Sequence, residues 1–268
     1  MPPANTAPRG WDAHVHVFDA NAPVQPGHYR PAHHPLSTIE TLAQAHGVGH
    51  LVLVQPSVYG TDNSVLTAAL SESPGRHRGV AVVDASVSED ELDHMHAVGV
   101  RGVRFNLVSP VGNQAVDLLP LARRLHARGW HVQWYAHPTH LADIARVHRQ
   151  TGLVCVLDHL AGMHVALPDG DPAWVTLAEL ADLGAWVKLS GWYRLQAQAP
   201  YDTLAAHIQR VAALFGQRLV WGSDWPHTFF AEGHTPAYAE TQAPVAQALG
   251  PEAASLISLA AADLYGTA

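Results

Sequence analysis

The sequence is poor in charged residues and nearly free of cysteine and lysine. Charged residues make up 14% of its 268 positions, and Cys155 is the single cysteine. A disulfide within the chain is therefore excluded, which is typical of a protein of the reducing cytosol. Because Cys155 lies inside the apolar run 153–157, we interpret it as a packing residue and not as a nucleophile.

Long apolar runs and basic runs are also missing. No segment approaches the roughly 18 apolar residues that span a bilayer, and residues 1–10 lack the apolar core of a signal peptide. Fifteen Lys and Arg against 23 Asp and Glu give a net charge of −8, which disfavours nucleic acid and anionic membranes as partners. We expect a soluble cytoplasmic protein, and no sequence pattern predicts its oligomeric state.

What the sequence does contain is an alternation of short apolar runs with helical patterns, typical of a parallel sheet with crossover helices. Segments 120–129 and 203–215, for example, have helical spacing of their apolar residues. We predict a single-domain (β/α)8 barrel over residues 1–268. A doubly wound sheet is the competing fold, but no Gly-x-Gly-x-x-Gly turn follows the first strand. The eight predicted strands are residues 11–18, 50–55, 79–84, 102–106, 131–136, 153–158, 186–190 and 219–222.

Residues suited to catalysis gather where predicted strands end. Three aperiodic segments, 21–35, 163–172 and 229–236, follow strands one, six and eight and are predicted to be loops. In a barrel, the loops after the carboxyl ends of the strands build the active site.

His14 and His16 lie two positions apart on the first strand, so their side chains leave the same face. Such a pair can bind a divalent cation or donate hydrogen bonds, but an isolated pair can equally be two core histidines. Further polar residues favour a site, because they end other strands and converge only in a closed barrel. They are Tyr135 and His137 on strand five, His159 after strand six, and Asp224 after strand eight.

These residues belong to motifs that resemble the amidohydrolase superfamily, in its amidohydrolase-2 branch. The resemblance covers nearly the whole chain and is closest to the 2-pyrone-4,6-dicarboxylate lactonases and related sugar lactonases. The motifs that carry it are Asp12-Ala13-His14-Val15-His16-Val17-Phe18-Asp19, Val54-Gln55-Pro56-Ser57 with Gly60-Thr61-Asp62-Asn63, Gly102-Val103-Arg104-Phe105-Asn106, Leu157-Asp158-His159, Val187-Lys188-Leu189-Ser190-Gly191 with Tyr193-Arg194, and Trp221-Gly222-Ser223-Asp224-Trp225-Pro226-His227.

The resemblance implies a hydrolase that opens a cyclic ester by attack of water. Asp224 would be the general base, and His14, His16 and His159 would polarise the carbonyl group, with Tyr135 as a further donor. The same resemblance assigns substrate binding to four other residues, of which the arginines would hold a carboxylate. These four residues are Arg104, Ser57, Tyr29 and Arg194.

The sequence departs from the dicarboxylate lactonases at two places. Those enzymes carry further arginines where this chain has Ser109-Pro110 and Ala161-Gly162. With fewer cations, we expect a lactone that carries less charge than 2-pyrone-4,6-dicarboxylate; the substrate would be a small lactone or carboxylate.

The resemblance favours an enzyme without an obligatory metal, because the lactonases that it points to work without one. The alternative is one zinc or manganese ion bound by His14, His16 and Asp224, with His137 or His159 as a further ligand. A two-metal site with a carboxylated lysine is not expected, since the only lysine is Lys188 on strand seven. Two other functions stay open: a metal-dependent decarboxylase of an aromatic or enoic acid, and a non-catalytic metabolite-binding barrel.

Overall fold

The computed structural model of the protein describes residues 9–109, 114–228, 230–231 and 233–266. It contains the eight predicted strands, each within a few residues of its predicted bounds. The strands are β1 (Gly10–Val15), β2 (Val48–Val54), β3 (Arg78–Ala81), β4 (Val100–Asn106), β5 (His131–Tyr135), β6 (Cys155–Leu157), β7 (Trp186–Leu189) and β8 (Leu219–Trp221).

The strands form one parallel sheet in the order β1 to β8, each paired with the next along the chain. The residues that follow β8 then return to β1. Val15 and Trp225 form a parallel bridge, the His16 amide donates to the Trp225 carbonyl at 2.8 Å, and the Asp224 amide donates to the His14 carbonyl at 2.9 Å. The (β/α)8 barrel is thereby confirmed, and the doubly wound alternative is wrong.

Gly222 permits this return of the chain to β1. A Cβ atom at position 222 would lie 2.5 Å from the His14 Cβ and 2.9 Å from the His14 backbone nitrogen. Only a glycine lets two backbones approach so closely without strain. The close approach brings Asp224, two residues later, beside the histidines of β1.

Helices lie between the strands and cover the outside of the sheet. The segment predicted over 120–129 forms α4, and that over 203–215 forms α7. Local sequence fixes their ends: at α3 the Ser88 hydroxyl accepts from the Glu91 amide and the Glu91 carboxylate accepts from the Ser88 amide. The helices are α1 (Leu36–Ala45), α2 (Ser64–Glu72), α3 (Glu89–Val98), α4 (Ala122–Ala127), α5 (Leu141–Thr151), α6 (Ala173–Asp182), α7 (Ala205–Phe215), α8 (Ala243–Leu249) and α9 (Pro251–Tyr265).

Apolar side chains fill much of the barrel at the end where the strands begin, together with the buried residues Arg78 and His131. Trp11 and Ala13 of β1 pack there with Val52, Val220 and Tyr265, the last residue of α9. The opposite end of the barrel, where the strands finish, carries the polar residues described below.

Some predicted features lie outside the described residues. They are the ends of the predicted domain (1–8 and 267–268), Pro110, and positions 229 and 232 of the loop after strand eight. Across the described ranges, no helix combines the length and the apolar character that crossing a membrane requires.

Candidate active site

Asp224 lies in the turn that follows β8, fully buried and in a left-handed backbone conformation with φ of 64°. Its two carboxylate oxygens have different surroundings. Oδ2 accepts a hydrogen bond from the Tyr193 hydroxyl at 2.6 Å and another from Arg194 Nε at 2.8 Å. Among the described residues Oδ1 has no hydrogen-bond partner, and it lies 3.6 Å from His14 Nε2 and 3.5 Å from His16 Nε2. One oxygen therefore holds the carboxylate in place while the other is available for chemistry.

The two imidazoles of β1 present lone pairs to that available oxygen. His16 Nδ1 lies 2.7 Å from the Val54 carbonyl, which can only accept, so Nδ1 carries the hydrogen of a neutral ring. His14 Nδ1 lies 3.3 Å from Asp158 Oδ1, closer than the 3.6 Å between its Nε2 and Asp224 Oδ1, which favours the hydrogen on Nδ1. In the neutral form of each ring this leaves Nε2 without a hydrogen. Two lone pairs and a carboxylate oxygen thus meet at one point, an arrangement that a cation or a proton would stabilise.

Burial controls the protonation of this cluster. It lowers the pKa of His14 well below its usual value, against the pull of Asp158, and lowers the pKa of His159 to about 4. Burial opposes ionisation of Asp224 too, but Arg194 and His159 outweigh it and hold the pKa of that carboxyl well below its usual range. At neutral pH the site therefore combines an ionised aspartate with uncharged His14 and His159.

His159 and Tyr135 meet beside this cluster, as the sequence predicts. The His159 ring lies 4.8 Å from that of His14, and the Tyr135 ring meets His159 edge-on at 5.0 Å. His159 Nδ1 lies 3.0 Å from the Ser190 hydroxyl, whereas its Nε2 has no partner.

The two predicted arginines flank Tyr135. The Cζ atoms of Arg104 and Arg194 lie 5.6 Å and 5.5 Å from the centre of its ring, a distance at which a guanidinium is attracted to an aromatic face. Each arginine also contacts a buried carboxylate: Arg194 contacts Asp224, and Arg104 Nε lies 3.5 Å from Asp158 Oδ2.

Ser57 and Tyr29, the other residues predicted to bind substrate, have polar partners. The Ser57 hydroxyl accepts from Asn106 Nδ2 at 2.9 Å. Tyr29 is half-exposed and lies near Arg194. Burial raises the pKa of Tyr29, so its hydroxyl stays protonated as a donor at neutral pH.

His137 is not brought to the cluster. Strand β5 ends at Tyr135 and residues 138–140 form a tight turn, which leaves the His137 ring exposed and stacked at 5.8 Å on His140. His137 belongs to neither group of metal-capable side chains found among the described residues. Strand alternation predicts that Tyr135 and His137 share one face. The prediction is wrong for His137, because the strand ends at Tyr135 and alternation ends with it.

Sequence reasoning missed three buried residues of this region. Asp158 contacts His14 and Arg104, and Lys188 lies 3.6 Å from Asp158 Oδ1. A lysine within the apolar run of strand seven was the available signal, since a buried ammonium requires partners. His227 is also buried, and neither of its ring nitrogens has a hydrogen-bond partner in the part of the chain that the structure describes. Its only signal was its nearness to Asp224 in the sequence.

Two groups of three side chains bring potential metal ligands together, with ligand atoms within 4.8 Å of one another. They are His14, His16 and Asp224, and His14, Asp158 and His159. In the second group, Asp158 already faces Lys188 and Arg104, whose charges repel a further cation. The first group offers two imidazole lone pairs and an unpaired carboxylate oxygen, a donor set that suits zinc or manganese. Its residues therefore fit one divalent ion.

Comparison with known proteins agrees with the barrel and its polar end. Residues 11–267 match the sequence model of a family described as Amidohydrolase. The chain is 31% identical over 232 residues to a 2-pyrone-4,6-dicarboxylate hydrolase of Comamonas testosteroni, an alignment that covers 81% of this chain and 76% of that protein. It is 30% identical over 231 residues to a 4-sulfomuconolactone hydrolase of Rhizobium radiobacter, with 82% and 77% covered.

A solved structure extends this similarity to three dimensions. A Pseudomonas putida protein proposed to be a 2-pyrone-4,6-dicarboxylic acid hydrolase superposes with a TM-score of 0.84 at 32% identity, covering 97% of this chain and 98% of that one. The matched region includes the histidine pair, both arginines and the aspartate after β8. The chain belongs to the amidohydrolase family.

Proposed function

We propose that this protein is a hydrolase that opens a lactone ring by attack of water. The observation that carries the proposal is the divided environment of Asp224, with Oδ2 held by Tyr193 and Arg194 and Oδ1 left free between His14 and His16. The lactone hydrolases among the related proteins support the same reaction class.

In this reaction a water oxygen bonds to the lactone carbonyl carbon, and the ring C–O bond then breaks to give a hydroxy acid. Asp224 Oδ1 is positioned to take the proton from water and return it to the departing ring oxygen. Nε2 of His159 has no hydrogen-bond partner within the described ranges and lies beside the same cluster, so it can donate to the carbonyl oxygen when Ser190 donates to Nδ1.

The low pKa of Asp224 makes it a weak base, so it needs a water that is already acidified. A divalent ion held by His14, His16 and Asp224 would lower the pKa of such a water and polarise the carbonyl. His14 and His16 direct Nε2 lone pairs, and not N–H groups, at this point. This direction suits binding of a metal ion better than donation of hydrogen bonds to the carbonyl oxygen. We therefore propose the single-ion alternative, with His159 and Tyr135 next to the reacting oxygen.

The charges around the site support a substrate with one anionic group or none. Arg104 and Arg194 are both engaged by buried carboxylates, and Lys188 has no exposed surface. Ser109 and Ala161 supply no cation. Each missing charge-assisted hydrogen bond weakens binding of a second carboxylate by about 1.5 to 3 kcal/mol. A lactone less charged than a pyrone dicarboxylate therefore suits this site best.

The test is acid release from a panel of neutral, mono-anionic and di-anionic lactones, followed in a pH-stat. Asp224→Asn should lower kcat by about 10²- to 10⁴-fold, the usual contribution of a general base. Asp93→Asn removes an exposed aspartate of α3 and should leave kcat unchanged. Wild-type turnover by Asp224→Asn would remove Asp224 from the reaction. Release of carbon dioxide from carboxylic acids, without lactone opening, would instead support the decarboxylase alternative.

A further inference from the structure

Lys188 is the only lysine of the chain, and its side chain is fully buried in the middle of β7. A buried ammonium group is costly unless it is paired and hydrogen-bonded. Nζ donates to the Ala13 carbonyl at 2.8 Å and to Gln133 Oε1 at 2.6 Å, and it lies 3.6 Å from Asp158 Oδ1. Nζ is engaged by these three groups, so Lys188 acts on its surroundings through them.

The contact with Gln133 determines which way the amide of that residue points. An ammonium only donates and a carboxylate only accepts, so Oε1 must face Lys188 and Nε2 must face Asp158. Nε2 donates to Asp158 Oδ2 at 2.9 Å. Lys188 therefore holds the Asp158 carboxylate twice, by its own charge at Oδ1 and through the amide at Oδ2.

Asp158 in turn faces His14. Its Oδ1 lies 3.3 Å from His14 Nδ1, the shorter of the two carboxylate contacts of this ring. The shorter contact favours the ring hydrogen on Nδ1 and leaves the lone pair on Nε2, 3.6 Å from Asp224 Oδ1. Lys188 also holds the carbonyl of Ala13, the residue before His14. Lys188 thus fixes both the backbone next to His14 and Asp158, the residue that faces His14 Nδ1.

We infer that Lys188 is a positioning residue, which acts through Gln133 and Asp158 to keep the His14 ring oriented with its Nε2 lone pair directed at Asp224. Without Nζ, the Gln133 amide is free to turn and present its oxygen to Asp158. The carboxylate would then be repelled from its position beside His14. The effect on turnover rests on the proposed function, whereas the effect on His14 does not.

The experiment compares Lys188→Met, Gln133→Leu and a control in protein labelled with ¹⁵N-histidine. Arg78→Met is the matched control, because Arg78 is also a buried cation on a barrel strand but bonds to carbonyls at the opposite end. Two-bond ¹H–¹⁵N spectra report which ring nitrogen carries hydrogen, and His14→Gln assigns the His14 signals. Gln133→Leu retains the lysine and carries the test if Lys188→Met does not fold.

We expect His14 to show a single Nδ1–H pattern in the wild type and in Arg78→Met, and to lose it in Lys188→Met and Gln133→Leu. Turnover per folded molecule should fall about 10- to 100-fold in those two variants, the usual effect of removing the support of a functional group. KM should change less than roughly threefold, because neither side chain touches substrate. An unchanged His14 pattern would overturn the inference, even with reduced turnover. Absence of lactone turnover in the wild type would refute the proposed function alone.

Discussion

Removal of the Tyr193 hydroxyl tests whether Oδ2 of Asp224 orients the carboxylate while Oδ1 takes part in the reaction. Tyr193→Phe deletes one oxygen atom and with it the 2.6 Å hydrogen bond to Oδ2, leaving Arg194 to hold the carboxylate alone. A hydrogen bond to a charged group contributes about 1.5 to 3 kcal/mol. If this energy serves to orient Asp224 in the transition state, kcat falls by about 10- to 150-fold.

The assay is steady-state hydrolysis of the best lactone of the panel, with kcat and KM determined separately. Tyr238→Phe is a matched control, because the Tyr238 hydroxyl donates to Asp12 Oδ2 at 2.9 Å and is also buried against a carboxylate. That variant should lose stability while keeping kcat within roughly threefold of the wild type. A Tyr193→Phe enzyme with wild-type kcat would refute the orienting role of Oδ2.

Three further predictions concern stability. Gly222→Ala should destabilise the protein by about 1 to 3 kcal/mol in urea unfolding, because the new Cβ would meet the His14 backbone. Gly170→Ala is the control and should be near neutral, because the space around Gly170 is open. Equal effects of the two substitutions would contradict the close approach of the chain after β8 to β1. His148 accepts from Trp134 Nε1 and faces the Leu153 carbonyl, and burial lowers its pKa to about 4 from 6.5. His148 therefore binds a proton more readily in the unfolded chain than in the folded protein. The stability that the neutral ring contributes is complete above pH 6.5 and is lost as pH falls towards 4. The stability advantage of the wild type over His148→Gln should shrink by about 2 kcal/mol between pH 7 and pH 5, and a constant difference would contradict the neutral ring. His227→Phe keeps the ring volume and removes two buried nitrogens that have no hydrogen-bond partner among the described residues, so it should leave the free energy of unfolding within about 1 kcal/mol or raise it. A loss of more than roughly 2 kcal/mol would contradict the absence of partners.

The fold was predictable because each strand is a short buried run bounded by turn residues. The convergence of His14, His159 and Asp224 followed from the barrel, since the carboxyl ends of parallel strands meet at one end. The sequence did not reveal that β1 shifts its register against β2 between Asp12 and Val15. Such an irregularity redirects side chains, and here Ala13 packs inside the barrel while the adjacent His14 also faces the site.

The charged interior was harder to predict. Asp158 and Lys188 are thirty residues apart in sequence and meet only because β6 and β7 are neighbouring strands, so no local pattern joins them. His137 was misplaced for a related reason: alternation along a strand stops where the strand stops, and β5 ends two residues earlier. The backbone conformation of Asp224, which turns its carboxylate towards β1, also depends on contacts distant in sequence.

The central claim, water attack on a lactone at the His14, His16 and Asp224 cluster, is tested most directly by hydrolysis in ¹⁸O-labelled water. Mass spectrometry of the product acid follows each turnover of the wild-type enzyme. We predict one ¹⁸O atom in the new carboxylate and none in the released hydroxyl, formed at a rate that Asp224→Asn lowers by about 10²- to 10⁴-fold. A product without ¹⁸O, or a labelled product formed equally fast by Asp224→Asn, would contradict the claim.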